Sequence, residues 1–256
     1  MTRHRIAGQD RLQQSRSQWE VSPSSPSVPE NRLLGLLPPA VLARLTPHLD
    51  SVRLRRNDVL FRADEPLSVC YFPTTAVVSL VSTLESGDSL EVGIVGRDGL
   101  AGTSVFPGIF TMSCDGIVQF PGVAHRISTG VLRAEVLANE ALYSTLGRFA
   151  QVLLVRSMQT SVCNMFHPVE QRCIRWLLTV NDLIANGDLP LTHDQMAKVL
   201  GVHRPTVTLV LRSLHRAGLV SESRGRIVIR DRHHLERSCC ECYRSMCNEQ
   251  YRLLGY

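Results

Sequence analysis

At Thr129 the apolar residues stop alternating and begin to recur at helical spacing, and they keep that spacing for more than thirty residues. Leu142, Leu146, Phe149 and Leu153 follow a 4-3-4 rhythm that Arg156, Thr160 and Cys163 continue, which predicts one long helix with a coiled-coil-like seam. Phe166-His167-Pro168 ends it, because proline has no N–H for the helix ladder and pushes the residue before it out of the helical region. A helix of this length overhangs any small barrel. Its seam therefore predicts a second copy of the chain as its cover, with packing against the chain's own C-terminal domain as the alternative.

Before the switch, residues 52–127 read as short apolar or alternating runs separated by turn sequences such as Glu85-Ser86-Gly87-Asp88, Gly96-Arg97-Asp98-Gly99 and Pro121-Gly122. Many short strands at roughly 8 to 12 residue spacing predict a β-roll or barrel. Residues 33–49 place Leu33, Leu36, Leu37, Val41, Leu42 and Leu45 at near-helical spacing around Pro38-Pro39, so short helices are expected beneath the strands. Residues 1–31 are rich in Gln, Ser, Pro and Arg and predict a flexible tail. The expected division is a tail over 1–31, a β-roll sensor over 32–137, a dimerisation helix over 138–166 and a C-terminal domain over 167–256.

At 44% hydrophobic and 20% charged, the 256 residues have a globular composition. The longest apolar run, Val152-Leu153-Leu154-Val155, is far short of a membrane span. No apolar leader follows Met1, so the cytoplasm is the expected address, and the eight cysteines are expected to be reduced. The chain contains no Gly-x-Ser-x-Gly elbow, P-loop, His-Glu-x-x-His or Gly-x-Gly-x-x-Gly, which argues against an enzyme. The net charge of +5 is mild, yet residues 192–237 alone hold nine basic against four acidic side chains. That segment carries the whole excess, as a surface facing phosphates would.

Within it, Thr192 can cap a helix that turns Met196, Ala197 and Leu200 inward, Gly201 supplies a tight turn, and a second helix turns Val207, Val210, Leu211 and Leu214 inward. Pro205 falls in the first turn of that second helix, where a missing N–H costs little. His203, Arg204, Thr206 and Thr208 are left facing outward at its start, with Arg212 further along. Ala217-Gly218 ends the helix, and two strands, residues 219–221 and 226–229, are expected to form a hairpin that carries Arg224 and Arg226 toward phosphates.

With a β-roll, a long helix, the His167-Pro168 break followed by Val169-Glu170-Gln171-Arg172, and this helix-turn-helix with its wing, the chain resembles the Crp/Fnr family over residues 33–236. The resemblance implies an α+β fold: a cupin-like, cyclic-nucleotide-binding-like roll, a dimer helix and a C-terminal winged helix-turn-helix. It also implies a transcription regulator, activator or repressor, with double-stranded DNA, a second copy of the chain and RNA polymerase as partners. Arg204 occupies the position whose guanidinium reads guanine bidentately, and His203 and Thr206 stand where phosphate contacts are usual. The family's glutamate is replaced by Pro205 and a later base-reading arginine by Leu209, so no operator sequence carries over.

The family's cyclic-nucleotide cassette neutralises the cyclic phosphate with an Arg-Ser or Arg-Thr pair. Here the matching stretch, Thr111-Met112-Ser113-Cys114-Asp115, has no arginine, and Arg97 is the sole substitute, so cyclic nucleotide is not the expected signal and no cofactor is assigned. The N-terminal cysteines of the iron–sulfur branch are also missing from the tail. Cys239, Cys240, Cys242 and Cys247 cluster at the other end instead, in a spacing that is no standard zinc pattern. Three readings stay open for them: one packed face of a helix over residues 235–254, a soft-metal site, or a redox pair that makes the chain a metal- or redox-responsive regulator. Cys70, Cys114, Cys163 and Cys173 read as small core residues. A sensor that regulates a protein partner is the remaining alternative to DNA binding.

Overall fold

The computed structural model describes residues 30–184, 188–223 and 225–256. The expected tail lies outside these residues up to position 29, but its last residue, Asn31, is fully buried. Its side-chain amide donates to the carbonyls of Pro73 and Gly99 at 2.8 and 2.9 Å, and its Oδ1 caps helix α1, Arg32–Gly35, by accepting from Leu34 N–H. Helix α2, Pro39–Leu45, opens on a proline in its first turn. Leu33, Leu34, Leu37, Val41 and Leu45 from this pair pack into the core of the roll.

The roll consists of β1 (Asp50–Leu54), β2 (Val59–Phe61), β3 (Val69–Pro73), β4 (Val77–Thr83), β5 (Ser89–Val95), β6 (Asp115–Phe120) and β7 (Gly122–Ser128). They form two antiparallel sheets, ordered β1-β7-β3 and β2-β6-β4-β5. Phe72, Val78, Val95, Leu100, Val118 and Ile127 fill the space between them. Helix α3, Thr129–Ala138, is capped by Ser128, and α4 follows as Glu140–Phe166.

The face of α4 that closes the roll corrects the expectation for the seam. Leu142, Leu146 and Phe149 are fully buried and Leu153 is 9% exposed, all within the core of the chain's own roll. A Cβ placed on Gly99 would stand 2.0 Å from the ring of Phe149, so the glycine exists to admit that ring. Farther along, Arg156 Nη2 meets Asp98 Oδ2 and Gln250 Oε1, each at 2.6 Å. The 4-3-4 stripe is therefore intramolecular: the roll has an open apolar end, and the adjoining helix covers it at no cost in association entropy. A different face of α4 remains exposed, and it carries Tyr143, Leu154, Met158, Val162 and Met165.

After the His167-Pro168 break come α5 (Val169–Leu183), β8 (Asp188–Leu189), α6 (His193–Leu200), α7 (Arg204–Arg216), β9 (Val220–Ser223), β10 (Arg226–Ile229), α8 (Arg232–Ser238) and α9 (Glu241–Leu254). Ile174, Leu177, Met196, Leu200, Leu211 and Ile227 belong to a second core, which Val77, Ile94 and Phe120 of the roll join. The single helix expected over residues 235–254 is broken. Cys239 is extended at φ −78 and ψ 153, Cys240 caps the next helix, and α9 folds back along α4.

Truncating a buried phenylalanine removes its transfer energy and leaves a cavity, so Phe149→Ala should lower the unfolding free energy by about 3–5 kcal/mol. Urea denaturation followed by circular dichroism measures it. A loss below about 1 kcal/mol would mean that α4 does not close the roll.

Candidate nucleic-acid interface

Thr192 begins α6 with a reciprocal cap: its Oγ1 accepts from Gln195 N–H at 3.3 Å and its own N–H donates to Gln195 Oε1 at 2.9 Å. Gly201, at φ 61, ends the helix in the left-handed region and turns the chain into α7. Val207, Leu211 and Leu214 are buried as expected, while Val210 is only half-buried. His203, Arg204, Leu209 and Arg212 are exposed on the other side, and Thr206 is half-buried. Arg204 keeps 65% of its side chain in solvent, with Asp194 Oδ1 3.5 Å from its Nε. An exposed ion pair of that length is worth little and releases the guanidinium readily.

Thr208 differs from its expected outward role. Its Oγ1 donates to the carbonyl of Arg204 at 3.1 Å and lies 2.9 Å from Nδ1 of His193, whose Nε2 is 2.6 Å from Glu222 Oε2. This chain of contacts fastens α7 to α6 and to the wing, so Thr208 positions the helix. His193 and Glu222 went unassigned in the sequence because only the fold brings them together.

The wing hairpin pairs Arg226 with Ser223, so β9 runs two residues beyond its expected end, and Gly225 stands in a turn at φ 75. Arg226 is exposed on this hairpin, whereas Arg224 lies outside the described residues. Strand β8 adds a third member through Ile227↔Leu189. At two residues it is too short to leave a periodicity in the sequence.

The turn Gly96-Arg97-Asp98-Gly99, which holds the one candidate substitute for the cassette's arginine, is given over to packing. A Cβ on Gly96 would lie 2.6 Å from Leu183 Cβ, Gly99 faces Phe149, and Asp98 spends its charge on Arg156. Arg97 is half-buried, and burial lowers its pKa. Among the cysteines, burial pushes Cys70 and Cys173 up to about 12 and Cys114 up to about 11, which leaves them inert as thiols. Cys240 and Cys242 meet Cys163, read above as a plain core residue; Cys239 packs against that group from a half-buried position, and Cys247 is half-buried.

Polar and apolar contacts from the roll also reach this interface. Arg56 donates to Gln195 Oε1 at 3.0 Å and to the carbonyl of Pro190 while lying over the ring of Phe120. Leu90 of β5 lies 3.1 Å from where a Cβ on Gly201 would be. Buried Glu91 accepts from Trp176 Nε1 at 2.7 Å and from Ser79 Oγ. Burial raises the Glu91 carboxyl to about 7, against the opposing pull of these hydrogen bonds and of Arg175.

Sheets, closing helix and winged helix-turn-helix together define a fold of the Crp/Fnr kind. Residues 171–238 match the family model of the Crp-like helix-turn-helix domain. FixK2 from Bradyrhizobium japonicum shares the fold at a TM-score of 0.66 and 16% identity, over 75% of this chain and 98% of its own. The c-di-GMP responsive global regulator CLP of Xanthomonas campestris matches at 0.59 and 18%, over 75% and 99%. A CRP-family transcriptional regulator from Thermus thermophilus matches at 0.58 and 19%, over 72% and 94%. No curated protein matches the chain. The chain thus carries a Crp-like helix-turn-helix domain on a Crp/Fnr fold; of these relatives, CLP is described as a global regulator and the Thermus protein as a transcriptional regulator. Among the described residues no helix is long and apolar enough to cross a membrane.

Glu91 makes stability depend on pH. The unfolded chain releases this proton near the ordinary value of about 4.3, whereas the folded chain holds it to about 7. Between those values the folded state binds more protons, so stability is greatest at the acid end, falls as pH rises through the window by up to roughly 4 kcal/mol, and then levels off. Glu91→Gln should flatten this slope in urea titrations at pH 5 and pH 8. An unchanged slope in the variant would assign it to other groups.

Proposed function

We propose that the chain is a homodimeric, sequence-specific DNA-binding transcription regulator whose roll responds to a signal other than a cyclic nucleotide held in the family's cassette. The observation that carries the reading is the exposed start of α7, with His203, Arg204 and Leu209 outward while Val207, Leu211 and Leu214 anchor the helix. A helix presented by its N-terminal residues enters the major groove, where a guanidinium can donate twice to O6 and N7 of one guanine. His203, Thr206, Arg212, Arg226 and Arg224 would serve phosphates around it. CLP is described as c-di-GMP responsive, and such a ligand is one signal class to test on this roll.

The dimer seam we propose is the exposed stripe of α4, Leu154, Met158, Val162 and Met165, in place of Leu142, Leu146, Phe149 and Leu153. An apolar stripe at 4-4-3 spacing on a solvent face needs a partner, and a second copy would present the same stripe to it. Two copies would then offer two α7 helices to two half-sites.

Met158→Glu should convert a dimer into a monomer in sedimentation velocity while leaving the circular dichroism spectrum of the fold unchanged. A wild-type monomer at micromolar concentration would refute this seam. Arg204→Ala should cost about 1–3 kcal/mol on the true operator and relax preference at one base pair per half-site. Mobility shifts on a panel of operator variants at two salt concentrations separate base reading from phosphate contact. An equal loss on every variant would remove Arg204 as the reader, and a complex insensitive to salt would argue for a protein partner in place of DNA.

A further inference from the structure

We propose that Cys163, His167, Cys240 and Cys242 form a zinc site that clamps the end of α4 to the start of α9. One donor atom from each residue lies within 4.8 Å of all the others, and the three sulfurs belong to buried residues. Tetrahedral zinc with bonds of about 2.3 Å to sulfur and about 2.0 Å to nitrogen sets ligand separations of about 3.8 Å between sulfurs and about 3.5 Å between sulfur and nitrogen. The structure gives 3.7 Å for Cys163 Sγ to Cys240 Sγ and 3.4 Å for Cys242 Sγ to His167 Nδ1. Four donors gathered this tightly suit one ion, whereas the ligands of an iron–sulfur cluster are spread over several irons. Three thiolates and an imidazole are a closed structural set for zinc and suit neither magnesium nor calcium.

The surroundings supply what such a site requires. Arg175 Nε donates to Cys163 Sγ at 3.2 Å and Gln159 Nε2 donates to Cys242 Sγ at 3.1 Å, both directed at sulfur lone pairs. Three thiolates around a divalent ion leave one negative charge. Buried Arg175, which forms no ion pair with a carboxylate among the described residues, balances it. The second nitrogen of His167, Nε2, lies 3.4 Å from Glu241 Oε2, the carboxylate partner that orients a metal-bound imidazole. Cys240 is also the N-cap of α9, where the helix dipole favours a thiolate.

The local sequence explains the assembly. Cys163 and His167 stand four apart at the end of α4, the His167 N–H bonded to the Cys163 carbonyl at 3.0 Å, so both face one side. Cys240 and Cys242 flank Glu241 where the chain breaks between α8 and α9, which gives that break a purpose. The ion would fix the DNA-binding half against the long helix at their hinge.

The test uses the full chain purified without chelators. Elemental analysis should find one zinc per chain, and cobalt(II) exchanged into the site should give thiolate charge-transfer absorption with tetrahedral ligand-field bands. Alkylation and peptide mapping of metal-loaded against chelator-stripped protein should protect Cys163, Cys240 and Cys242 and leave Cys247 unchanged, a readout that needs no variant to fold. Cys240→Ser should lose the zinc, and Cys247→Ser should keep it. Failure of stripped wild type to take up zinc, protection of a different set of thiols, or wild-type zinc content in folded Cys240→Ser would each overturn the site.

Discussion

The insertion of Phe149 against Gly99 is the contact on which the architecture turns. Antiparallel strands wound into a roll leave an apolar end, and here α4 covers it with Leu142, Leu146, Phe149 and Leu153. Close packing makes the arrangement unforgiving, because the space a side chain on Gly99 would need is already the ring. Once that face of α4 is committed to the roll, the helix has only its opposite face to offer a partner. The direction in which it leaves the roll then sets where everything after His167 can lie.

The other half of α4 is held by polar contacts instead. Arg156 joins Asp98 of the roll to Gln250 of α9, and Asp98 is oriented by the turn that contains Gly96 and Gly99. A buried ion pair of this kind contributes little net stability, since desolvation offsets most of the attraction, but breaking one member leaves an uncompensated charge. Its effect is to permit one register of α4 against both neighbours. Glu91 acts alike at the next junction, where a buried carboxyl between Ser79 and Trp176 ties β5 to α5.

Through these ties the helix-turn-helix is docked on the roll rather than suspended from the long helix. Arg56 reaches its cap and Leu90 seats against its turn, while the outward side of α7 stays clear of both contacts. A change in the roll that moves β5 would therefore be felt at Gly201, three residues before Arg204. That is a short mechanical path between the roll and the exposed start of α7.

Much of this was legible in the residues. Alternation, turn chemistry and the switch at Thr129 specify the roll and the long helix, because backbone period and proline geometry act locally. Thr192, Gly201 and Pro205 specify the helix-turn-helix, because caps and positive φ are local as well. What the sequence could not settle is which surface each stripe meets. The 4-3-4 seam reads the same whether its cover is a second chain or the chain's own roll, and only the fold shows the roll arriving first. Thr208 looks outward until His193 and Glu222 are brought to it. Cys163 and His167 are far in sequence from Cys240 and Cys242, so no spacing rule could join them. The sequence by itself determined the elements, through interactions spanning a few residues. The tertiary structure alone decided the partners, since distance along the chain says nothing about which faces packing will bury together.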